Sequence, residues 1–143
     1  MRGFHPALSA FDSLPLAERL FVHARLFSAP LEELTRHVKG SRLVDIGCGH
    51  GVLVSLLAMG FPDRSVVGVD PDARKIEWAK RSIGRFSNVR LEVGTVEQLA
   101  QREAAQFDTV LVADVLYLLP PAQWPGFLRA CRALLTPHGR LVL

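Results

Sequence analysis

Two kinds of hydrophobic segment alternate along most of the chain, and each predicts its own kind of element. Short, nearly continuous apolar runs bounded by turn residues are typical of buried strands, and they cover residues 43–46, 65–70, 89–94, 107–113 and 140–143. The segments between them predict helices over residues 52–60, 71–84, 96–104 and 121–135. Strands that alternate with helices in this way indicate an α/β fold with a mostly parallel sheet.

Residues 15–39 precede the first strand and predict two further helices, broken at Ser28-Ala29-Pro30. On the first of these helices, the charged residues Glu18, Arg19 and Arg25 are expected to turn away from the sheet. The apolar residues at helical spacing are expected to pack on the sheet, and they are Leu16, Leu20, Phe21, Ala24 and Phe27. We therefore divide the chain into an N-terminal helical cap, residues 1–39, and a core, residues 40–143.

Three alternate glycines, Gly47, Gly49 and Gly51, close the first strand and open the helix that follows it. Glycine lets a backbone come close to a ligand, and a helix N-terminus presents free N–H groups to it. Asp70 stands 19 residues after the last of these glycines, at the end of the second strand. This arrangement predicts a nucleoside-binding site.

Two other nucleotide-binding motifs fit the turn less well. The dinucleotide fingerprint G-x-G-x-x-G/A requires Gly or Ala at position 52, where the chain has Val52. A phosphate loop of the form G-x-x-x-x-G-K-[ST] is absent from the sequence, and the turn contains no Lys or Arg to meet a pyrophosphate. The turn therefore indicates a ligand without phosphates and disfavours a nicotinamide-linked oxidoreductase.

The motif acidic-x-Gly-x-Gly-x-Gly, which runs from Asp45 to Gly51, resembles the first motif of the class I S-adenosylmethionine-dependent methyltransferases. The resemblance covers residues 40–143 and implies a Rossmann-like three-layer sandwich with strand order 3-2-1-4-5. It also implies S-adenosylmethionine as cofactor and a small molecule as methyl acceptor. In such a site Asp70 accepts hydrogen bonds from the ribose hydroxyls. Its alternative role is to cap the next helix, with Pro71 in the first turn.

The later segments extend the resemblance. The family binds adenine after its third strand, which implies contacts from Thr95, Val96 and Glu97, although members usually have Asp where Thr95 stands. The fourth strand ends at Asp114, beside the methionine part of the cofactor, and Tyr117 is expected to line the same pocket. The implied cofactor-binding residues are Asp45, Gly47, Cys48, Gly49, Gly51, Asp70, Pro71, Thr95, Val96, Glu97 and Asp114.

Several of these residues have structural alternatives. Glu97 fits the first turn of a helix, Asp114 a capped loop and Tyr117 the hydrophobic core. Asp108, at the opposite end of the fourth strand, is expected to be structural. The family often builds a lid over the substrate from the N-terminal region, so the first helix has two possible roles, packing on the sheet or covering the substrate.

Methyl transfer from a sulfonium depends mainly on placing the nucleophile in line with the methyl group. An oxygen or nitrogen nucleophile also benefits from a base, and the candidates are His50, Asp114 and Tyr117. The alternative function, from a different class, is a non-catalytic S-adenosylmethionine-binding module that supports a partner protein.

Composition narrows the remaining possibilities. With 49% hydrophobic and 22% charged residues, the 143-residue chain fits one globular domain, and its longest apolar stretches are too short to cross a bilayer. The net charge of +3 is mild, and the basic residues over 74–85 fit a solvated helix face, so nucleic acid is not an expected partner. Cys48 and Cys131 lie in no metal-binding spacing, and residues 1–10 lack a secretory pattern, so reduced thiols, no metal and a cytoplasmic location are expected.

The last segment, residues 134–143, shares the pattern Leu-x-Pro-x-Gly-x-Leu with the family and predicts a helix end, a turn and a strand that starts at Arg140. The family sheet has two strands beyond the fifth, and this sequence ends within the fifth. We therefore expect the chain to be part of a longer protein, or to pair its fifth-strand edge with a partner or a second copy.

Overall fold

The computed structural model of the protein describes residues 5–143 and has a parallel sheet at its centre. Its strands are β1 (Arg42–Ile46), β2 (Ser65–Asp70), β3 (Val89–Val93), β4 (Phe107–Leu111) and β5 (Leu135–Val142). All four neighbouring pairs are parallel, in the order β3-β2-β1-β4-β5. The predicted Rossmann-like fold and strand order are confirmed.

Helices cover both faces of the sheet. They are α1 (His5–Ser9), α2 (Leu16–Ser28), α3 (Leu31–Arg36), α4 (Val52–Gly60), α5 (Ala73–Ile83), α6 (Val96–Arg102) and α7 (Trp124–Leu134). Two short 3₁₀ turns, Leu116–Leu118 and Pro121–Gln123, lie between β4 and α7. The break between α2 and α3 lies where the sequence predicts it, whereas α1 has no counterpart in the prediction.

Successive strand residues point to opposite faces, which gives two hydrophobic clusters. In β1, Leu43 packs with α4, α5 and the N-terminal helices, whereas Val44 packs with α6 and α7. Phe11, Val22 and Leu26 belong to the first of these clusters, so the predicted cap and the sheet share hydrophobic packing. The predicted cap starts at Met1, and its first four residues lie outside the described residues.

The predicted orientation of α2 is wrong. Leu16, Leu20 and Phe27 are 70%, 61% and 79% exposed, whereas the buried face of the helix is formed by Val22 and Leu26. The reason is that α2 lies against the polar carboxyl end of the sheet. There its charged residues find partners, as described below, and the broad apolar stripe turns outward.

The start of the helix after β2 also differs from the prediction. The helix α5 begins at Ala73, and its N-cap is Asp72, whose carboxylate accepts hydrogen bonds from the backbone N–H groups of Arg74 and Lys75. Asp70 therefore does not cap this helix, and Pro71 precedes it. The Asp70 carboxylate remains available for other contacts.

The last strand starts five residues earlier than predicted. β5 begins at Leu135, and the register with β4 shifts between the pairs Phe107–Leu135 and Thr109–Arg140. The predicted Pro-Gly turn is thus an irregularity inside the strand, because a strand at the sheet edge can accommodate extra residues and a proline.

Polar groups at the amino end of β4 are fully engaged. Asp108 accepts hydrogen bonds from the backbone N–H groups of Ser41 and Arg42, at 2.8 and 3.0 Å. The buried hydroxyl of Thr109 donates to the Lys39 carbonyl at 2.8 Å and accepts from the Lys39 N–H at 2.9 Å. This end of the sheet is closed by structural contacts, as expected for Asp108.

Among residues 5–143, none of the helices is both long and apolar enough to span a bilayer.

Candidate functional site

The glycine turn between β1 and α4 is tied to the end of β2. The N–H groups of Gly47 and Cys48 donate to the Val69 carbonyl at 2.7 and 3.0 Å. The Gly49 N–H donates to Oδ2 of Asp70 at 2.9 Å. The turn therefore has a fixed position at the carboxyl edge of the sheet, where open α/β sheets bind their ligands.

The three glycines of this turn do different things. A Cβ built on Gly47 would lie 2.4 Å from Cγ2 of Val115, and one on Gly51 would lie 2.7 Å from Cδ1 of Ile83. A Cβ on Gly49, whose φ is +55°, would meet nothing within 4 Å. Gly47 and Gly51 are thus required by close packing within the protein, whereas Gly49 leaves space for a ligand.

Asp70 is buried at the end of β2 and already holds two backbone groups. Besides Gly49, it accepts a hydrogen bond from the Asp72 N–H through Oδ1 at 2.8 Å. A carboxylate has about four acceptor positions. Asp70 therefore keeps acceptor capacity for hydroxyl groups while it anchors the turn.

A cavity of about 290 Å³ opens between the glycine turn, the end of β2, the segment after β4 and α2. Six of the predicted cofactor-binding residues line it, namely Gly47, Cys48, Gly49, Asp70, Pro71 and Asp114. Two others, Asp45 at the end of β1 and Gly51 in the turn, are buried and line neither this cavity nor the second one.

A second cavity, of about 230 Å³, adjoins the first and shares Gly47 and Pro71 with it. The remaining three predicted residues, Thr95, Val96 and Glu97, line this cavity. Thr95 also caps α6, because its hydroxyl accepts from the Gln98 N–H and Oε1 of Gln98 accepts from the Thr95 N–H. The two adjoining cavities thus bring nine of the eleven predicted residues together in one elongated site.

The helix α2 supplies side chains to the first cavity, although the sequence predicts other places for them. Phe21 and Arg25 line the first cavity. Nη2 of Arg25 lies 3.2 Å from the Ala113 carbonyl and 3.6 Å from Oδ2 of Asp114. Oε2 of Glu18 lies 2.6 Å from Nε2 of His50. The charges of Glu18 and Arg25 were the only sequence signal for this placement, because their partners, His50 and Asp114, come from distant segments.

Asp45 is the most strongly perturbed carboxyl group of the site. Burial raises its pKa from 3.8 to about 7, the Arg25 charge lowers it, and the Asp70 charge raises it. Its Oδ1 atom is buried and has no hydrogen-bond partner among the described residues. A buried acceptor without a partner is costly, and it identifies a place where a bound donor would be favoured.

The remaining candidates differ in position. Asp114 has a left-handed backbone with φ of +57°, an uncommon conformation that clusters at functional sites. Tyr117 is 72% exposed, so it is not a core residue. It lines neither of the two cavities but borders a separate surface pocket, which Asp114 also lines. Burial raises the pKa of the Cys48 thiol, as do the charges of Asp45 and Asp70, so this sulfur is a poor nucleophile.

In the part of the chain that the structure describes, no group of three or more His, Cys, Asp or Glu side chains is arranged to hold a metal ion.

Comparison with known proteins identifies the family of this domain. A family model described as a methyltransferase domain matches residues 43–139, which contain both the glycine turn and the end of β4. The chain belongs to the methyltransferase domain family. The ubiquinone biosynthesis O-methyltransferase of Methylocella silvestris is 37% identical over 121 residues. These residues are 82% of this chain and 44% of that protein, so the methyltransferase domain spans less than half the length of this curated relative.

Solved structures share the fold of this methyltransferase domain. A TehB-like SAM-dependent methyltransferase from Corynebacterium glutamicum has a TM-score of 0.68 at 25% identity, covering 87% of this chain and 67% of that one. A geranyl diphosphate methyltransferase, solved in complex with GPP and sinefungin, has a TM-score of 0.69 at 24% identity. That alignment covers 82% of this chain and 44% of the other, and it supports the fold alone.

Proposed function

We propose that this methyltransferase domain binds S-adenosylmethionine in the two adjoining cavities and transfers its methyl group to a small-molecule oxygen acceptor. The observation that carries the proposal is the glycine turn, which Asp70 holds so that Gly49 faces open space. The name of the Methylocella silvestris relative, an O-methyltransferase, supports oxygen as the accepting atom.

The residues present fit this cofactor. Asp70 has acceptor capacity for the ribose hydroxyls, and Thr95, Val96 and Glu97 line the space that remains for adenine. Asp45 has an unpartnered buried oxygen that suits an ammonium group. Arg25 lines the first cavity and suits a carboxylate. A methionine group carries both of these charges, so the polar ends of the site match those of the ligand.

The protein contributes placement more than chemistry. S-adenosylmethionine supplies a methyl group that its sulfonium has already activated. The chain has to hold an acceptor in line with that methyl group and exclude water, and placement of this kind accounts for a large part of many rate enhancements. Phe21 of α2 and Leu118 of the first 3₁₀ turn line the first cavity and supply apolar surface beside it.

Calorimetric titration with S-adenosylhomocysteine tests the binding part of the proposal, with NAD as the contrasting ligand. The chain should bind S-adenosylhomocysteine and not NAD. Gly49→Ala should weaken binding at least tenfold, about 1.4 kcal/mol, because its Cβ enters the cavity. It should also cost about 1–2 kcal/mol of stability through the positive φ.

Gly60→Ala is the matched control, since a Cβ there also meets nothing within 4 Å but Gly60 ends α4, away from the cavity. It should leave affinity unchanged. Equal affinities for Gly49→Ala and the native chain would show that the turn is only structural. Release of S-adenosylhomocysteine in the presence of hydroxyl acceptors then separates an enzyme from a module that binds the cofactor without turnover.

A further inference from the structure

His50 and Glu18 form a polar pair that joins α2 to the glycine turn. Nε2 of His50 lies 2.6 Å from Oε2 of Glu18, across 32 positions of sequence. His50 directly precedes Gly51 in the glycine turn. It is only 5% exposed and lines the first cavity. The Phe21 ring packs against the imidazole with centroids 5.5 Å apart. The imidazole is therefore held in one place within the candidate site.

The pair determines which ring nitrogen carries the proton. An ionised carboxylate can only accept hydrogen bonds, so Nε2 must donate to Glu18, and a neutral ring then has its lone pair on Nδ1. No other described residue forms a hydrogen bond with this ring. Nδ1 is therefore the basic atom left for a bound hydroxyl group, in the way that a carboxylate orients a catalytic histidine in other enzymes.

Apart from Lys75, the other titratable groups lining this cavity already have a charge or hydrogen-bond partner, or a pKa that makes them poor bases. Asp70 and Asp72 each accept hydrogen bonds from two backbone N–H groups. Asp114 faces the Arg25 guanidinium at 3.6 Å, and burial raises the pKa of the Cys48 thiol. The complete set of these groups is Arg25, Cys48, Asp70, Asp72, Lys75 and Asp114.

We propose that His50 accepts the proton of a hydroxyl acceptor at Nδ1 and that Glu18 positions its ring, an inference that rests on the proposed function. As the acceptor oxygen forms its bond to the methyl carbon, the carbon–sulfur bond breaks and its electron pair stays on sulfur. The hydroxyl proton moves to Nδ1. The resulting imidazolium is paired with the Glu18 carboxylate until it gives the proton to water.

Nitrogen NMR of histidine-labelled protein tests the ring state without turnover, with the His50 signals assigned from their loss in His50→Gln. At the pH of the transfer assay, the spectra should show the hydrogen on Nε2 and a lone pair on Nδ1, because only that state leaves a basic atom for the acceptor hydroxyl. Glu18→Gln should populate the other tautomer. A ring that is doubly protonated at the pH of the assay, or that carries its hydrogen on Nδ1, would overturn the proposal.

Methyl transfer to two probes tests the chemical role. Catechol keeps its hydroxyl protons at neutral pH, whereas thiophenol is already ionised and needs no base. His50→Gln should slow transfer to catechol about 100-fold, the lower range for loss of a general base, and slow transfer to thiophenol much less. Glu18→Gln should lower kcat for catechol about tenfold with little change in KM, because it misorients the base.

His23→Gln is the matched control, since His23 lies on α2 but does not line the cavity. Equal losses with both probes, or no loss with catechol, would overturn the role of His50. A native chain that binds S-adenosylhomocysteine and methylates neither probe would count against the proposed function. The ring state would still be decided by the nitrogen spectra.

Discussion

The two ends of the sheet carry similar polar side chains, but these side chains differ in how many of their hydrogen-bond partners are present. At the amino end of β4, Asp108 and Thr109 have every nearby partner in place, with two backbone N–H groups on the carboxylate and two backbone contacts on the hydroxyl. At the carboxyl end, Asp45 has an unpartnered oxygen, and Asp114 and Arg25 stand 3.6 Å apart. We call these the closed end and the site end.

The difference between the two ends distinguishes polar residues that stabilise the fold from those that are available to a ligand. Buried polar groups are nearly always hydrogen-bonded in native proteins, and Asp108 and Thr109 at the closed end obey this rule. An unpartnered carboxylate oxygen and a raised carboxyl pKa both occur at the site end, at Asp45. Such features cost stability, and a chain keeps them where a ligand offsets the cost.

The largest expected effect that tests this contrast is the pH dependence of stability at Asp45. Burial raises its folded pKa to about 7, against 3.8 for an ordinary carboxyl group. The folded state then holds a proton that the unfolded state has lost, so the free energy of unfolding falls as the pH rises between these values. The fall amounts to about 4 kcal/mol. In urea unfolding, Asp45→Asn should lack this part of the profile.

At Asp108, the pH dependence of the free energy of unfolding should have the opposite sign. The backbone N–H groups of Arg42 and Ser41 lower the pKa of Asp108, so its stabilising contribution is present above 3.8 and is lost in acid. The Asp108→Asn variant should therefore be destabilised at neutral pH and not in acid. Two results would contradict the difference between the two ends. One is a native chain whose free energy of unfolding does not fall between about pH 4 and 7, and the other is an Asp45→Asn variant whose stability depends on pH as that of the native chain does.

A smaller effect separates Asp70 from Asp108, since each carboxylate accepts two backbone hydrogen bonds at its own end of the sheet. Asp70→Ala should weaken S-adenosylhomocysteine binding by about 2 kcal/mol, through the lost ribose contact and the released turn. Asp108→Ala should lower the free energy of unfolding by a similar amount and leave the affinity for S-adenosylhomocysteine unchanged.

The ribose contact is separated from the turn by repeating the titration with the 2′-deoxy analogue of the ligand. Asp70→Ala should have a smaller effect on the analogue than on S-adenosylhomocysteine, because the analogue lacks one of the hydroxyl partners. Identical effects on both ligands would confine Asp70 to anchoring the turn. Equal affinity losses in Asp70→Ala and Asp108→Ala would remove the distinction between the two ends.

The sheet and the placement of most site residues could be predicted from the sequence because they depend on local signals. The alternation of apolar runs with helical segments sets the strand order, and the glycine turn with Asp70 lies at an edge that this order defines. Nine of the eleven predicted cofactor-binding residues line the two cavities. Their contacts with the cofactor stay a prediction.

The errors have long-range causes. The apolar stripe of α2 would be buried only if the helix packed on an apolar surface. The helix instead lies over the polar site end, where Arg25 contacts Asp114 and Glu18 contacts His50. Pro137 and Gly139 look like a turn, yet a shift in strand register absorbs them. Neither outcome can be predicted from local spacing, because each depends on a partner more than 20 residues away.

The smallest expected effect is at Thr109, within the closed end. Its fully buried hydroxyl both donates to and accepts from the Lys39 backbone, so Thr109→Val removes two hydrogen bonds and leaves a carbonyl and an N–H group without them. The expected loss of stability in urea unfolding is about 1–2 kcal/mol, with no change in affinity for S-adenosylhomocysteine. A weaker affinity in this variant would show that the closed end communicates with the site through β4, and the two ends would then have to be treated as one coupled unit.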